Sequence, residues 1–413
     1  MTTTGIWHPF TQMKSFEPLG AVVEAKGAWL TLSDGRRILD GISSWWVTNH
    51  GHSHPKIAKA ISDQAHQFDQ VILADFGHGP AAQLAERLAD ILPGELQHVF
   101  YSDDGSTSVE VAIKMTVQAR ANQNEGHRKR IVTFDGAYHG DTVGAMSVSA
   151  RGVFNEAFQH LLFDVDSLPY NDIPALQSFF AEHGAEVNAV IVEPLIQGAG
   201  GMRFSTPDFI AELDRLCEQH GAYWIADEVM TGLGRAGTMF AVQQANAVPD
   251  VICVSKGITG GTLPLGLTIC NPEIYARFLG ADKSQAFLHG HSYTGNPIAC
   301  AAALASLELF QEEQTLDRVA QITSRYEHIA SQFAALPNTK NIRYRGGIFA
   351  YEVDGGGGGY LDPTGRKIRD KVFEQGLYIR PLGNTVYLMP PFCISTEDLD
   401  WALGLMLEAT RDL

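Results

Sequence analysis

Between about residues 130 and 255 short β-branched runs alternate with helical stretches, and that alternation restricts the chain to a mostly parallel sheet covered by helices. The candidate strands are Arg130–Phe134 (RIVTF), Ala189–Glu193 (AVIVE), Tyr223–Asp227 (YWIAD) and Asp250–Ser255 (DVICVS), with Pro207–Gln219 as an intervening amphipathic stretch. Each run ends in polar or glycine-rich sequence. In open α/β sheets ligands sit beyond the carboxyl ends of the strands, so chemistry is expected just after these runs.

Outside this region the texture changes. TLSDGRRILDG near the start, and IRYRGGIFAYEV and GLYIRPLGNTVYLMPP near the end, read as hairpins of an α+β unit. At 413 residues the chain exceeds the size at which one core stops growing. The expected organisation is a large α/β domain over 55–310 and a smaller domain assembled from 1–54 and 311–413. The run Gly355–Gly359 has the composition of a flexible linker and reads as a surface loop.

A net charge of −17 with no basic tract disfavours nucleic acid and anionic membrane as partners. The stretch Ser284–Leu307 lacks charge, but His289, His291, Gly295, Asn296 and Pro297 break its first half, so only Ile298–Leu307 reads as an apolar helix, too short to span a membrane. Cys217, Cys253, Cys270, Cys300 and Cys393 fit neither a metal pattern nor a disulfide framework. They read as core residues in a reducing compartment, and with no visible secretory signal the expected location is cytoplasmic.

Three segments could carry chemistry. In SDDGSTSVE (Ser102–Glu110), Gly105 allows a close turn and Thr107-x-x-Glu110 has capping-box spacing ahead of a helix over Val109–Ala119. A glycine-serine turn at a helix start can hold a phosphate, although most capped helices hold none. Asp227 and Glu228 close the run AYWIAD, where a carboxylate needs a cation, donors or a capping role. Lys256 follows VICVS and precedes a stretch without charge until Glu273. An amine so placed suits Schiff-base chemistry, a snorkelling lysine being the alternative. Together a phosphate cradle, a strand-end acid and a strand-end amine are what pyridoxal phosphate requires, and Tyr138 in GAYHGDT could stack on its ring.

Two patterns point elsewhere and are set aside. Gly232–Gly237 (GLGRAG) matches GxGxxG, but it does not directly follow a strand, and Asp250 opens the next strand rather than ending it, so dinucleotide binding is not expected. His50, His52 and His54 have no acidic or cysteine partner nearby in sequence and read as loop contacts rather than metal ligands.

The segments SDDGSTSVEVAIKM, FDGAYHGDT, the Glu193–Met202 stretch, ADEVMTGLGRAG, the Lys256 segment and HGHSYTGNP resemble the class III pyridoxal-phosphate aminotransferases of fold type I over essentially the whole chain. IWHPFTQM, DGISSWW and IRPLGNTVYLMPP are similar to the branch that aminates 8-amino-7-oxononanoate in biotin biosynthesis. The resemblance implies that Lys256 holds the cofactor covalently and Asp227 pairs with its ring nitrogen. It implies that Gly105 and Ser106 bind the phosphate, joined by His291 and Ser292 from the other subunit of a homodimer. Tyr138 would flank ring and substrate, Trp45, Trp46 and Gly290 would line the substrate pocket, and Arg380 would take the keto acid's carboxylate. Two positions depart from the family pattern. Phe10 replaces the usual tyrosine of the WHPYT-type segment, which leaves S-adenosylmethionine or lysine as the amino donor, and His291-Ser292 replaces a proline-threonine pair. An ω-amino-acid or ornithine-type aminotransferase, or a non-catalytic cofactor-binding dimer, are the competing readings.

Overall fold

The computed structural model describes residues 5–355 and 359–413, so the centre of the glycine run expected to form a surface loop lies outside the described residues. The N-terminal strands β1 (Val22–Lys26), β2 (Trp29–Leu32) and β3 (Arg37–Asp40) form an antiparallel meander, with the SDG turn of TLSDGRRILDG joining β2 to β3. The large sheet uses β4 (His98–Ser102), β5 (Arg130–Phe134), β6 (Asp166–Leu168) and β7 (Val187–Val192). A two-residue pair, β8 (Ile196–Gln197) and β9 (Arg203–Phe204), intervenes before the sheet resumes with β10 (Tyr223–Asp227), β11 (Val251–Val254) and β12 (Gly266–Cys270). Its spatial order is β4-β12-β11-β10-β7-β5-β6.

The pairings among β11, β10, β7, β5 and β6 are parallel, and β12 runs antiparallel to both of its neighbours. Strands β7, β10, β11 and β12 are buried at every position. That is why they read as continuous apolar runs instead of alternating ones: helices cover both faces of the sheet. The helix Pro207–His220 packs one such face, starting with Thr206 as its cap and ending at Gly221 in the left-handed conformation. Helix Pro297–Glu312 extends beyond its expected apolar stretch, and among the described residues no helix is long and apolar enough to cross a membrane.

The chain closes with β13 (Thr339–Arg345), β14 (Ile348–Val353), β15 (Leu377–Tyr378) and β16 (Thr385–Leu388), and β15 joins β3 in parallel. One pairing thus ties the start of the chain to its end. Ala28 and Leu39 share a core with residues from Val319 to Ala409, separate from the core around β7, β10 and β11. We propose on this basis that 1–54 and 311–413 form one unit against 55–310. Trp46, Ile348, Tyr387 and Met389 nevertheless pack into the larger core, and Trp46 and Tyr387 line a cavity together with residues at the ends of β10 and β11.

Glu228, just beyond β10, is buried and caps the turn that follows: it accepts the Thr231 hydroxyl at 2.6 Å and the Val242 N–H at 2.9 Å. Burial pushes its carboxyl up to about 7, and these donors offset the shift only in part. A folded-state value above the ordinary one favours folding below about pH 4.5, and the gain is lost as pH rises through 7. Glu228→Gln can keep both contacts, its Oε1 accepting from Val242 and its amide N–H meeting the Thr231 hydroxyl. The melting temperature of this variant should therefore gain on that of the parent chain between pH 5 and pH 8. Melting curves with a pH-independent difference would contradict the assignment.

Candidate active site

A cavity of about 510 Å³ opens beyond the carboxyl ends of β7, β10 and β11, where the strand pattern places ligand chemistry. Strand register assembles its polar floor. Ala226 lies opposite Val192, which brings Asp227 level with Glu193, and Asp227 itself lies opposite Cys253, three residues before Lys256. Three ionisable groups thus converge beyond the ends of the sheet's fully buried central strands.

Lys256 adopts a left-handed backbone (φ 46°), an unfavourable conformation for a side chain-bearing residue and one found preferentially at functional sites. Its Nζ stands 5.3 Å from the Trp46 ring centroid, and Trp46 is held from behind by its Nε1–H donating to the Tyr387 hydroxyl at 3.0 Å. Loss of solvent lowers the lysine's proton affinity below the ordinary lysine range, while Asp227 and Glu193 pull the other way. Asp227 is buried. Its Oδ1 accepts the Val229 N–H at 3.1 Å and its Oδ2 lies 2.6 Å from His139 Nδ1. The opposite ring nitrogen of His139 has no hydrogen-bond partner among the described residues.

The helix start that carries the glycine-serine turn differs in detail from the sequence expectation. The helix begins at Gly105, not Val109, and its cap is Asp104 rather than Thr107. Asp104 Oδ1 accepts the Thr107 N–H at 2.8 Å, and the Thr107 hydroxyl accepts the Asp104 N–H at 3.0 Å, a capping box shifted three residues upstream. Glu110 is drawn away to accept the Gly144 N–H at 2.6 Å at the start of the helix Val143–Val148. This shift leaves Gly105 and Ser106 in the first turn, where N–H groups lack intrahelical acceptors and favour an anion. Ser106 Oγ accepts the Asp141 N–H at 3.1 Å, and a Cβ on Gly140 would lie only 2.1 Å from that oxygen, so the second loop can close on the first only through glycine.

Tyr138 lines the cavity with its ring centroid 5.8 Å from that of Phe154, and burial pushes its phenol upward. On the outer side, Arg380 lies over the Trp45 ring at 4.9 Å, and Phe10 meets Trp45 edge-on at 5.4 Å. The leading electrostatic neighbours of Arg380 are Tyr378, Tyr360 and Tyr387, and it forms no salt bridge among the described residues. The turn presenting Trp45 and Trp46 is strained, with positive φ at Ser43, Ser44 and Trp46. Buried Asp40 holds it by accepting the Ile42 and Ser44 N–H groups at 3.2 and 2.6 Å, and by a 2.9 Å contact with His52.

Gly290, His291 and Ser292 do not line this cavity. Gly290 and Ser292 are exposed, and His291 Nε2, 3.9 Å from Asp103, has no hydrogen-bond partner. The two patterns set aside above have structural occupations. Gly232–Gly237 lies in consecutive turns that open no α-helix, and Arg235 within it is buried against Ser43, Asn49 and the Pro390 carbonyl. His50, His52 and His54 contact Ser306, Asp40 and Glu313 respectively. Sequence reasoning missed His139 and Glu193 as site residues. Glu193 carried a usable signal, since it ends an apolar run as Asp227 does.

Orphan N–H donors beside a glycine cradle, a buried carboxylate and a desolvated amine match the phosphate, ring nitrogen and aldehyde of pyridoxal phosphate, and the residues present fit that group. The family model for aminotransferase class III matches residues 11–410. The chain is 46% identical over 409 residues to the adenosylmethionine-8-amino-7-oxononanoate aminotransferase of Synechococcus elongatus, covering 95% of each sequence. Its fold superposes with a TM-score of 0.95 on the crystal structure of the enzyme of that name from Methanocaldococcus jannaschii, at 34% identity over 99% of this chain and 97% of that one. An amine transaminase from an uncultivated Pseudomonas species, solved in its PLP-bound form, aligns with a TM-score of 0.90 at 30% identity, covering 98% of this chain and 97% of that one. With a family match along nearly its whole length and a cavity suited to the family's cofactor, the chain belongs to the class III aminotransferases, enzymes dependent on pyridoxal phosphate.

Proposed function

We propose that this chain transfers an amino group to 8-amino-7-oxononanoate, forming 7,8-diaminononanoate for biotin biosynthesis, with S-adenosylmethionine as donor. The observation that carries the reading is Arg380, a guanidinium without a salt bridge among the described residues, over the Trp45 ring and in the same cavity as Lys256. A keto acid with a long apolar chain needs an apolar wall near the reacting amine and a cation for its far end, and Trp45 with Arg380 supplies both. The similarity to relatives bearing that enzyme name supports the same substrate over an ω-amino-acid or ornithine-type one. Phe10 carries no hydroxyl against the donor, and lysine is the second donor to be tested.

Pyridoxal phosphate, when bound, supplies an aldehyde that carries the amino group between substrates and a ring that accepts electrons from the donor's carbon. Lys256 would anchor that aldehyde and, once displaced by the donor amine, move the proton at the donor's reacting carbon through its Nζ. Its lowered proton affinity favours the neutral amine, the form able to take a proton, relative to an ordinary lysine. Asp227 would hold a proton at the ring nitrogen, oriented by His139. Gly105 and Ser106 would fix the phosphate at the helix start, and Tyr138 would cover the ring and exclude water. The two substrates take turns in one cavity. We assign His291 and Ser292 to the phosphate site of a second copy in a homodimer, supported by their position outside the cavity of their own chain. The cysteines, all unpaired, suit a cytoplasmic setting.

Lys256→Ala should abolish turnover and the visible absorbance of the lysine-bound cofactor without lowering the melting temperature of the apo-protein; retained turnover would remove Lys256 from its role. Arg380→Ala should raise KM for the keto acid on the order of 10–100-fold while leaving KM for the donor nearly unchanged. Steady-state kinetics that show equal effects on both substrates would take Arg380 out of the carboxylate site.

A further inference from the structure

We infer that Glu193 is a positioning residue that clamps the Tyr138 loop and the Gly198 loop against the reacting cavity. The residue is 5% exposed, lines the cavity beside Asp227, and forms no salt bridge among the described residues. One oxygen accepts the Tyr138 N–H at 3.1 Å and the other accepts the Gly198 N–H at 2.8 Å. The first donor lies in the loop after β5 and the second opens the turn between β8 and β9, so a single carboxyl just beyond β7 fixes their separation.

What each loop carries gives the clamp its purpose. The first presents the Tyr138 ring to the cavity. The second runs directly beneath Trp46: a Cβ on Gly198 would lie 3.1 Å from the indole, the same indole that faces Lys256 Nζ. Glu193 therefore positions both aromatic walls around the lysine, and a buried carboxylate without a cation is retained there at a solvation cost. The charged and titratable groups facing it are His139 and Tyr138 from the loop after β5, Tyr170 after β6, Asp227 from β10 and Lys256 after β11. Burial first, with Asp227 adding to it and His139 opposing, pushes the Glu193 carboxyl up to about 7. Protonation below that pH converts one acceptor oxygen into a hydroxyl and weakens one of the two loop contacts.

The clamp rests on the transamination reading for its kinetic consequence only. Glu193→Gln preserves volume but can accept only one of the two N–H donors. Amide hydrogen exchange on the cofactor-loaded protein without substrate tests the geometry directly. Segments 136–142 and 195–202 should exchange about tenfold faster in the variant in at least one of the two, with β10 unchanged. In parallel, kcat should fall about tenfold, and an acid limb near pH 7 in the parent enzyme's kcat profile should vanish in the variant. Unchanged exchange in both segments, or faster exchange throughout the chain, would overturn the clamp. So would a kcat–pH profile in Glu193→Gln identical in shape to the parent's. The exchange arm uses no substrate, so its failure is distinct from failure of the substrate assignment.

Discussion

A lysine amine placed beyond the fully buried central strands of a sheet loses the solvent that would stabilise its charge, and the rest of the site compensates for that loss. Strands β7, β10 and β11 are buried at every position, so Lys256 emerges from apolar surroundings with few polar neighbours to choose from. Parallel register brings those neighbours: Asp227 and Glu193 end the two adjacent strands at the same level. The sheet is therefore more than a scaffold. Its register sets which acids face the amine, and the lowered proton affinity of Lys256 is the balance between desolvation and those acids.

Around this floor the chain tolerates local strain that tertiary contacts hold in place. Lys256, Ser43, Ser44 and Trp46 all have left-handed backbone conformations without being glycine. Asp40 fixes the tryptophan turn through backbone N–H groups, and Arg235 reaches the same turn from the opposite side through the Ser43 hydroxyl at 3.2 Å. Arg235 has no carboxylate in its hydrogen-bond set, and burial lowers its proton affinity to about 9. Its donors instead bind Asn49 and the Pro390 carbonyl, so one buried cation joins the N-terminal and C-terminal segments behind the cavity.

Much of this was legible in the residues, for stated reasons. RIVTF and YWIAD coincide with β5 and β10, and AVIVE and DVICVS differ from β7 and β11 by one or two residues at their ends, because buried parallel strands write themselves as apolar runs. Strands β4, β6 and β12 escaped notice: β6 has three residues, and β4 and β12 carry polar or glycine positions that break the run. The capping box was misplaced by three residues because Asp104 and Thr107 both have a capping side chain at workable spacing. Only tertiary structure shows Glu110 engaged by Gly144 instead. His139 was missed because its partner Asp227 lies 88 residues away, beyond any local pattern, whereas Glu193, 55 residues from Tyr138, showed only the strand-end position it shares with Asp227. The resemblance to the aminotransferases supplied Arg380 and Trp45 as a pair; spacing alone does not bring their segments together.

The central claim is that the amine of Lys256, and of no other lysine, receives the cofactor. Borohydride reduction of the cofactor-loaded protein, followed by proteolysis and peptide mass mapping, measures this directly. One phosphopyridoxyl adduct is expected, on the peptide containing Lys256, at a stoichiometry near one per chain. An adduct on a different lysine, or no adduct under conditions in which the cofactor is retained, would contradict it.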